Sequence, residues 1–189
     1  MNWLKRTWIW LCRIRHRRGY GIHSPFAFNL VKGVIYERAP FYAYSPLHQL
    51  RKERDCHTSE RDDKLLFRLI NDHQPDTALL LCPETDIGAD YLKAGCTKCQ
   101  FYTDKDAIHP DRFDFIYINK ECPSVEELIS LINSRTLVIL RNIRRSEETL
   151  AWWKSLQERQ EIRVTFDLYE IGLAYTETRL NKQDYIINY

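Results

Sequence analysis

Short, almost wholly apolar runs in the second part of the chain constrain its fold most strongly. The run Thr77–Cys82 (TALLLC) has no polar residue after Thr77, and a strand that is apolar on both faces is typical of the interior of a parallel sheet. Further strands are predicted at residues 100–103, 113–118 and 136–140, and helical patterns cover residues 86–93, 125–132 and 147–157. This alternation of strands and helices predicts an α/β fold with a mainly parallel sheet.

The end of the chain has a different pattern. Residues 162–169, 173–178 and 184–189 are strand-like, and no helical pattern separates them. Strands that follow each other without a helix are usually antiparallel. We therefore predict a C-terminal antiparallel hairpin with its turn around Ile171-Gly172.

Residues 1–74 form a predicted N-terminal helical region, ahead of an α/β domain at 75–189, and a chain of 189 residues suits one compact unit. The first predicted helix, 2–18, is amphipathic and basic. A second begins at Ser24-Pro25, and others begin at Ser45-Pro46 and after Ser59. The second helix carries Phe28, Val31, Val34 and Ile35, and the last carries an apolar stripe of Leu65, Leu66, Leu69 and Ile70.

Basic side chains are concentrated at the N-terminus. Residues 1–36 contain seven basic residues and no acidic one, whereas the whole chain has 28 basic and 26 acidic side chains. The residues after 36 therefore carry 21 basic and 26 acidic side chains. The near-neutral total combines a positive N-terminal arm with an acidic body, and an acidic partner should meet the arm first.

Apolar length and cysteine content bear on the cellular compartment. The run Trp8–Cys12 is far shorter than the roughly 18–20 residues of a membrane span, and the arginines after it do not form a signal-peptide cleavage site. We therefore expect a cytoplasmic protein, free or at the membrane surface, whose six cysteines are free thiols. Cys96 and Cys99 have metal-ligand spacing, but no second ligand pair accompanies them, so no metal site is predicted.

Several local segments carry a family resemblance over nearly the whole chain. The most specific is Gly21–Phe26 (GIHSPF), and it is followed by Pro40–Tyr44 (PFYAY), Lys64–Ile70 (KLLFRLI) and Thr165–Gly172 (TFDLYEIG). Together with the order of the elements, they resemble a bacterial O-methyltransferase-like branch of the class I S-adenosylmethionine-dependent methyltransferases. The resemblance implies a Rossmann-like methyltransferase sheet behind an N-terminal helical region, with S-adenosylmethionine as the cofactor.

The glycine-rich turn of that family is degenerate in this chain. In the family, the first strand ends in an acid and leads into a turn whose backbone approaches the cofactor. Here Leu80 replaces the acid, Cys82 replaces the first glycine, and Pro83 lacks a backbone N–H. The residues left for contact with a cofactor are Glu84, Asp86 and Gly88, although Asp86 suits a helix cap better.

The next two strands add further candidates and further departures. Asp104 follows the second strand and matches the family's ribose-binding acid. Asn119 stands where the family commonly has an aspartate, and Arg141-Asn142 replaces the paired acids of metal-dependent members. These changes remove the carboxylate oxygens that a divalent cation requires. The candidate cofactor-binding residues are Glu84, Asp86, Gly88, Asp104 and Asn119, and no catalytic residue is assigned.

The segment between the second and third predicted strands is unusually short. Eight residues separate Asp104 from Phe113, whereas a parallel crossover with its helix needs about 10–12. The family's third strand and the helix beside it do not fit in this space. We therefore predict a sheet with one strand fewer than usual.

These departures favour a degenerate, non-catalytic methyltransferase-like protein with a binding or scaffolding role and no cofactor. The alternative is an active S-adenosylmethionine-dependent O-methyltransferase acting on a small molecule. The loss of the glycine turn, the carboxylates and a sheet element together favours the first hypothesis.

The basic N-terminal helix has three interpretations. It packs its apolar face on its own chain or on a twin subunit in a homodimer, it binds a protein partner, or it lies on an anionic membrane with its basic groups near phosphates. No recognition helix or RNA-binding motif indicates a specific nucleic-acid partner. The candidate surface-binding residues are Lys5, Arg6, Arg13 and Arg17.

Overall fold

The computed structural model describes residues 22–103 and 110–189, which form a seven-stranded sheet in the order β2-β1-β3-β4-β6-β5-β7. The predicted helix 2–18 and Asp104 lie outside these ranges. The strands are β1 (Thr77–Leu81), β2 (Gln100–Thr103), β3 (Phe113–Ile118), β4 (Ile132–Arg141), β5 (Val164–Asp167), β6 (Ile171–Tyr175) and β7 (Gln183–Ile186). The helices are α1 (Pro25–Leu30), α2 (Tyr44–Glu53), α3 (Glu60–His73), α4 (Ile87–Gly95), α5 (Val125–Leu131) and α6 (Glu147–Glu158), and a π-helical turn, Val31–Ile35, continues α1.

The pairing of the strands confirms the predicted α/β fold. The neighbours β2, β1, β3 and β4 are parallel, whereas β6 is antiparallel to both β4 and β5. No strand of the described residues pairs with the outer edge of β2, the edge at which the short connection predicts a missing strand. The sheet still has seven strands, because β7 pairs with β5 at the opposite edge.

Helices cover both faces of the sheet. Because side chains alternate along a strand, Leu80 points into an apolar cluster with α1 and α3, whereas Leu79 and Leu81 point into a second cluster with α5 and α6. The interior strands are therefore buried on both sides, as their continuous apolar sequence predicts.

The helix boundaries follow local capping chemistry. Ser24 and Ser59 accept hydrogen bonds from backbone N–H groups of the helices that they precede, and Ser124 forms a capping box with Glu127. The predicted stripe on α3 is buried, and so are Val31, Val34 and Ile35, but Phe28 is 39% exposed. The predicted strand 136–140 is longer than expected because Ile132 also pairs with Phe113, across a register shift.

The predicted hairpin exists, but the predicted position of its turn is wrong. Ile171 and Gly172 lie within β6, and the chain reverses at residues 168–170, where Tyr169 has a φ of 79°. Gly172 serves packing instead, because a Cβ atom there would lie 2.8 Å from the indole of Trp153. The glycine therefore indicates a close approach of a helix to the sheet rather than a turn.

Candidate functional site

The parallel strands β1, β3 and β4 end side by side, and we call the surface at their carboxyl ends the carboxyl edge. Leu81 at the end of β1 is in register with Ile118 at the end of β3, and Ile118 is in register with Leu140 near the end of β4. The backbone N–H of Asn119 donates to the carbonyl oxygen of Leu81 at 2.8 Å. This carboxyl edge is where open α/β sheets usually bind ligands.

Asp86 is the centre of the hydrogen bonding at the carboxyl edge. It caps α4, because its side chain accepts a hydrogen bond from the backbone N–H of Gly88 at 2.9 Å. The same carboxylate accepts from the hydroxyl of Tyr117 at 2.9 Å and from Nδ2 of Asn119 at 2.7 Å. Asn142, at the end of β4, donates to Oδ1 of Asn119 at 3.1 Å. Three of the predicted site residues, Asp86, Gly88 and Asn119, are thus brought together.

A buried arginine at the end of β4 joins Asp86 to α3. Nη1 of Arg141 lies 2.6 Å from Oδ1 of Asp63 and 3.7 Å from Oδ1 of Asp86. Arg51 of α2 donates to the other oxygen of Asp63. Two guanidinium groups and two carboxylates therefore form one buried ionic network in which the charges balance.

Burial and charge act against each other in this network. Burial raises the pKa of Asp63, and the neighbouring Arg141 and Arg51 oppose that effect. Burial lowers the pKa of Arg141, but the neighbouring Tyr117 and Asp63 reverse this and raise it above its ordinary value. Burial also raises the pKa of the Tyr117 hydroxyl. Arg141 therefore stays charged, and Tyr117 stays a neutral hydrogen-bond donor to Asp86.

Gly88 leaves no free space for a ligand beside the network. A Cβ atom on Gly88 would lie 2.8 Å from the hydroxyl of Tyr117, 2.9 Å from Nη1 of Arg141 and 2.9 Å from Cδ1 of Leu66. The glycine is needed for close packing of the chain's own side chains at this point. The space that the missing side chain leaves is therefore already filled.

A small cavity remains at the ends of β1 and β2. Its volume is about 260 Å³, and Glu84 lies in its wall on an exposed turn. The lining also includes Lys93 and Lys120, and the remaining lining residues are Leu80, Cys82, Pro83, Ala89 and Thr103. Asp86, Gly88 and Asn119 are not among the residues that line this cavity. The position of Asp104 relative to this cavity is outside the described residues.

No group of His, Cys, Asp or Glu side chains that could hold a metal ion occurs in residues 22–103 and 110–189. Cys96 and Cys99 are both buried free thiols, and Cys96 donates to the carbonyl oxygen of Pro75 at 3.8 Å. Burial raises the pKa of Cys99 to about 12, which opposes the thiolate form that a metal ion or redox chemistry requires.

Several solved structures with a similar fold are methyltransferases. A methyltransferase from Podospora anserina with bound S-adenosylhomocysteine has a TM-score of 0.52 at 10% identity, over 81% of this chain and 96% of that one. The O-methyltransferase TomG from Streptomyces achromogenes, in complex with S-adenosylmethionine, has a TM-score of 0.52 at 12% identity, over 77% of this chain and 94% of that one. A methyltransferase from Geobacter sulfurreducens has a TM-score of 0.53 at 12% identity, over 81% of this chain and 96% of that one.

This chain has the class I methyltransferase fold. The sequence itself matches no protein-family model and no curated protein. At 10–12% identity the likeness concerns the methyltransferase fold alone, and function depends on the residues at the carboxyl edge.

Sequence reasoning missed two members of the buried network, Arg51 and Asp63. Asp63 lies on the same face of α3 as Leu66, Phe67 and Ile70, all of which are buried. An acidic residue within a buried apolar stripe signals a buried partner, because an unpaired charge there is costly. The sequence presents the partner, Arg141, only as a replacement for an acid.

Proposed function

We propose that this protein is a non-catalytic member of the methyltransferase fold with a binding or scaffolding role. The observation that carries the proposal is the buried network of Arg141, Asp63 and Asp86, which occupies the carboxyl edge together with Tyr117 and Gly88. These side chains contact one another, so a ligand entering there would have to break buried ionic contacts.

The cavity beside the network also fits S-adenosylmethionine poorly. Its volume of about 260 Å³ is below the roughly 300–1,000 Å³ of pockets that enclose a cofactor-sized ligand. Pro83 in its wall has no N–H to offer. Size and the missing backbone donor both favour the hypothesis without a cofactor.

The alternative is an active S-adenosylmethionine-dependent O-methyltransferase. The fold favours this alternative, since the compared structures include one with bound S-adenosylhomocysteine and one with bound S-adenosylmethionine. Cofactor contacts would then come from Glu84, Asp86, Gly88, Asn119 and Asp104. For this to occur, the contacts that Asp86 makes with Asn119 and with Tyr117 would have to change.

Thermal unfolding in the presence of S-adenosylhomocysteine distinguishes the two hypotheses. A ligand at 100 times its dissociation constant stabilises the folded state by about 2.7 kcal/mol. We expect no change in the melting temperature up to 1 mM, with adenosine as the control ligand. A stabilisation that saturates with S-adenosylhomocysteine but not with adenosine would establish the alternative.

We also propose, from the sequence alone, that residues 1–18 bind an anionic membrane surface, a protein partner or a second copy of the chain through Lys5, Arg6, Arg13 and Arg17. No helix of the described residues is long and apolar enough to cross a membrane. We expect the full chain to sediment with anionic liposomes more than with neutral ones, and residues 19–189 to sediment with neither. Equal sedimentation of the two proteins with anionic liposomes would exclude membrane binding by the arm.

A further inference from the structure

A large groove lies on the sheet face covered by α1 and α3. Its volume is about 960 Å³, and it shares no lining residue with the 260 Å³ cavity at the ends of β1 and β2. Its walls are residues 35–41, the start of α2, one face of α3, and residues 188–189. On α3 the lining residues Glu60, Lys64 and Arg68 are four positions apart, which places them on one face of the helix. The groove is therefore a separate feature of the fold.

The groove has more positive than negative side chains. Arg38, Arg61, Lys64 and Arg68 line it, against Glu37 and Glu60. Both acids are already engaged: Glu60 pairs with Lys64 at 2.9 Å, and Glu37 accepts backbone hydrogen bonds within its own turn.

Two of the four cations, Arg38 and Arg61, form no ion pair within the part of the chain that the structure describes. Arg68 is buried and donates to the carbonyl oxygens of Val34 and Ile35 at 2.7 and 3.2 Å. Arg38 and Arg61, by contrast, form no ion pair with any residue in 22–103 or 110–189. The guanidinium of Arg61 stacks 3.8 Å from the ring centre of Tyr189, so its N–H donors are held in position at the groove. These two arginines supply the donors that a carboxylate or phosphate requires.

Aromatic rings and one buried amide complete the groove. Tyr36, Phe41, Tyr44 and Tyr189 line it, and Phe41 packs on Tyr44 with ring centres 5.3 Å apart. Asn188 also lines the groove and is nine-tenths buried, yet its Nδ2 has no hydrogen-bond partner among the described residues. That Nδ2 atom has almost no accessible surface, so Asn188 forms part of the wall rather than a donor to a molecule in the groove.

We propose that this groove binds a small organic anion, a planar ring that carries a carboxylate or a phosphate. The aromatic walls suit a flat apolar body, and Arg38 and Arg61 suit its anionic group. The volume lies within the range of small-molecule pockets. This proposal is independent of the proposed function, because the groove and the carboxyl-edge cavity have no residue in common.

The test is a ¹H–¹⁵N NMR titration of the full chain with 2-naphthoate and with its neutral analogue, 2-naphthamide. A ligand of about 13 non-hydrogen atoms is expected to bind with a dissociation constant of about 1 mM or tighter. We expect 2-naphthamide to bind at least about tenfold more weakly, since it cannot form charge-assisted hydrogen bonds. The backbone signals of Ala39 and Tyr189 and the side-chain amide signal of Asn188 should move. A parallel titration with 2-naphthyl phosphate shows which anionic group is preferred, and tight binding of either anion supports the proposal.

Two variants place the site. Arg38→Gln/Arg61→Gln removes the two guanidinium groups that would bind the anion and should weaken 2-naphthoate binding at least about tenfold. Ala39→Trp, at an exposed position in the wall, should block the groove without disturbing the core. The matched control Arg112→Gln/Lys154→Gln removes two exposed charges elsewhere and should bind like the unmodified chain. Equal binding of 2-naphthoate and 2-naphthamide, undiminished binding by the Arg38/Arg61 variant, or signal changes confined to the surroundings of Thr103 and Lys120 would overturn the proposal.

Discussion

At the residue scale, the ionic network at the carboxyl edge depends on the ion pair between Arg141 and Asp63. Both side chains are almost wholly buried, with Asp63 0% exposed and Arg141 5%. Removing one partner of a buried pair leaves an uncompensated charge and costs about 3–5 kcal/mol. We expect Arg141→Met to lower the free energy of unfolding by that amount, and Arg141→Met/Asp63→Leu to lower it by less than the sum of the two single variants. Urea unfolding at pH 7 measures all three.

A partly exposed pair serves as the control for this cycle. Arg54 contacts Asp90 at 2.6 Å, and the two side chains are 40% and 29% exposed. Arg54→Met should cost about 1 kcal/mol or less, since solvent screens the pair. A loss at Arg141 no larger than the loss at Arg54 would contradict the claim that the network is a buried unit.

Alanine substitutions at two glycines should change the free energy of unfolding in opposite directions. Gly88→Ala places a methyl group against Tyr117 and Arg141, at 2.8 and 2.9 Å, and such overpacking costs about 1–3 kcal/mol. Gly33 lies in the π-helical turn, and no atom lies within 4 Å of the position that a Cβ atom would take there. Gly33→Ala should therefore stabilise the chain by about 0.4–1 kcal/mol, because alanine reduces the entropy of the unfolded state. Thermal unfolding of both variants measures the two changes in stability. An unchanged stability of Gly88→Ala would show that the carboxyl edge has space for an additional methyl group.

His73 predicts a pH dependence of stability. Burial lowers its pKa from the ordinary value of 6.5, and Nε2 contacts the carbonyl oxygen of Asp114 at 3.0 Å. The unfolded chain therefore takes up this proton at a higher pH than the folded chain does. The free energy of unfolding must fall as the pH drops through 6.5 towards the lower pKa of the folded state. Urea unfolding at pH 7.5 and pH 5 should show this loss, and the loss should be smaller in His73→Gln; equal losses would exclude His73 as the cause.

The sequence predicts contacts within a segment better than contacts between distant segments. The capping role of Asp86 is predictable because it depends on a neighbouring backbone N–H. Its bonds to Tyr117 and Asn119 span 31 and 33 residues, and they follow only from the register of the strands. The groove residues are not predictable either, because residues 36–45, 60–68 and 188–189 meet only in the folded chain.

At the element scale, capping fixes the start of α5. Ser124 accepts from the backbone N–H of Glu127 at 3.2 Å, and Glu127 accepts from the backbone N–H of Ser124 at 2.7 Å. Ser124→Ala should lower the free energy of unfolding by about 1 kcal/mol. Ser130→Ala is the control, since Ser130 donates to a carbonyl oxygen within the same helix and alanine is the better helix former. Equal destabilisation by the two substitutions would indicate that the capping box contributes nothing.

The sequence predicts the bounds of several elements closely. It does not show whether a glycine marks a turn or close packing. The bounds of β2 and β3 agree with the predicted strands at residues 100–103 and 113–118. The predicted hairpin turn is misplaced because Gly172 can signal either a turn or close packing, and the sequence does not show that Trp153 lies against it. Tyr169, which has the positive φ, is a residue type that gives no turn signal.

At the scale of the whole molecule, the alternating pattern of strands and helices, together with the local resemblance, is enough to predict the methyltransferase fold. The short connection after β2 also predicts the missing strand, since no strand of residues 22–103 and 110–189 pairs with the outer edge of β2. The carboxyl edge is only half predictable. The sequence indicates that the family's acids and glycines are missing, but it does not indicate the ionic network at this edge, because Asp63 and Arg141 are 78 residues apart in the chain.

The central claim is that the chain's own side chains occupy the carboxyl edge of a methyltransferase fold. The most direct test is a crystal structure of the full chain grown with 5 mM S-adenosylhomocysteine. We predict no ligand density at the ends of β1 and β3, with Arg141 still between Asp63 and Asp86. Density for S-adenosylhomocysteine in contact with Gly88 and Asn119, with Arg141 displaced from Asp63, would contradict it.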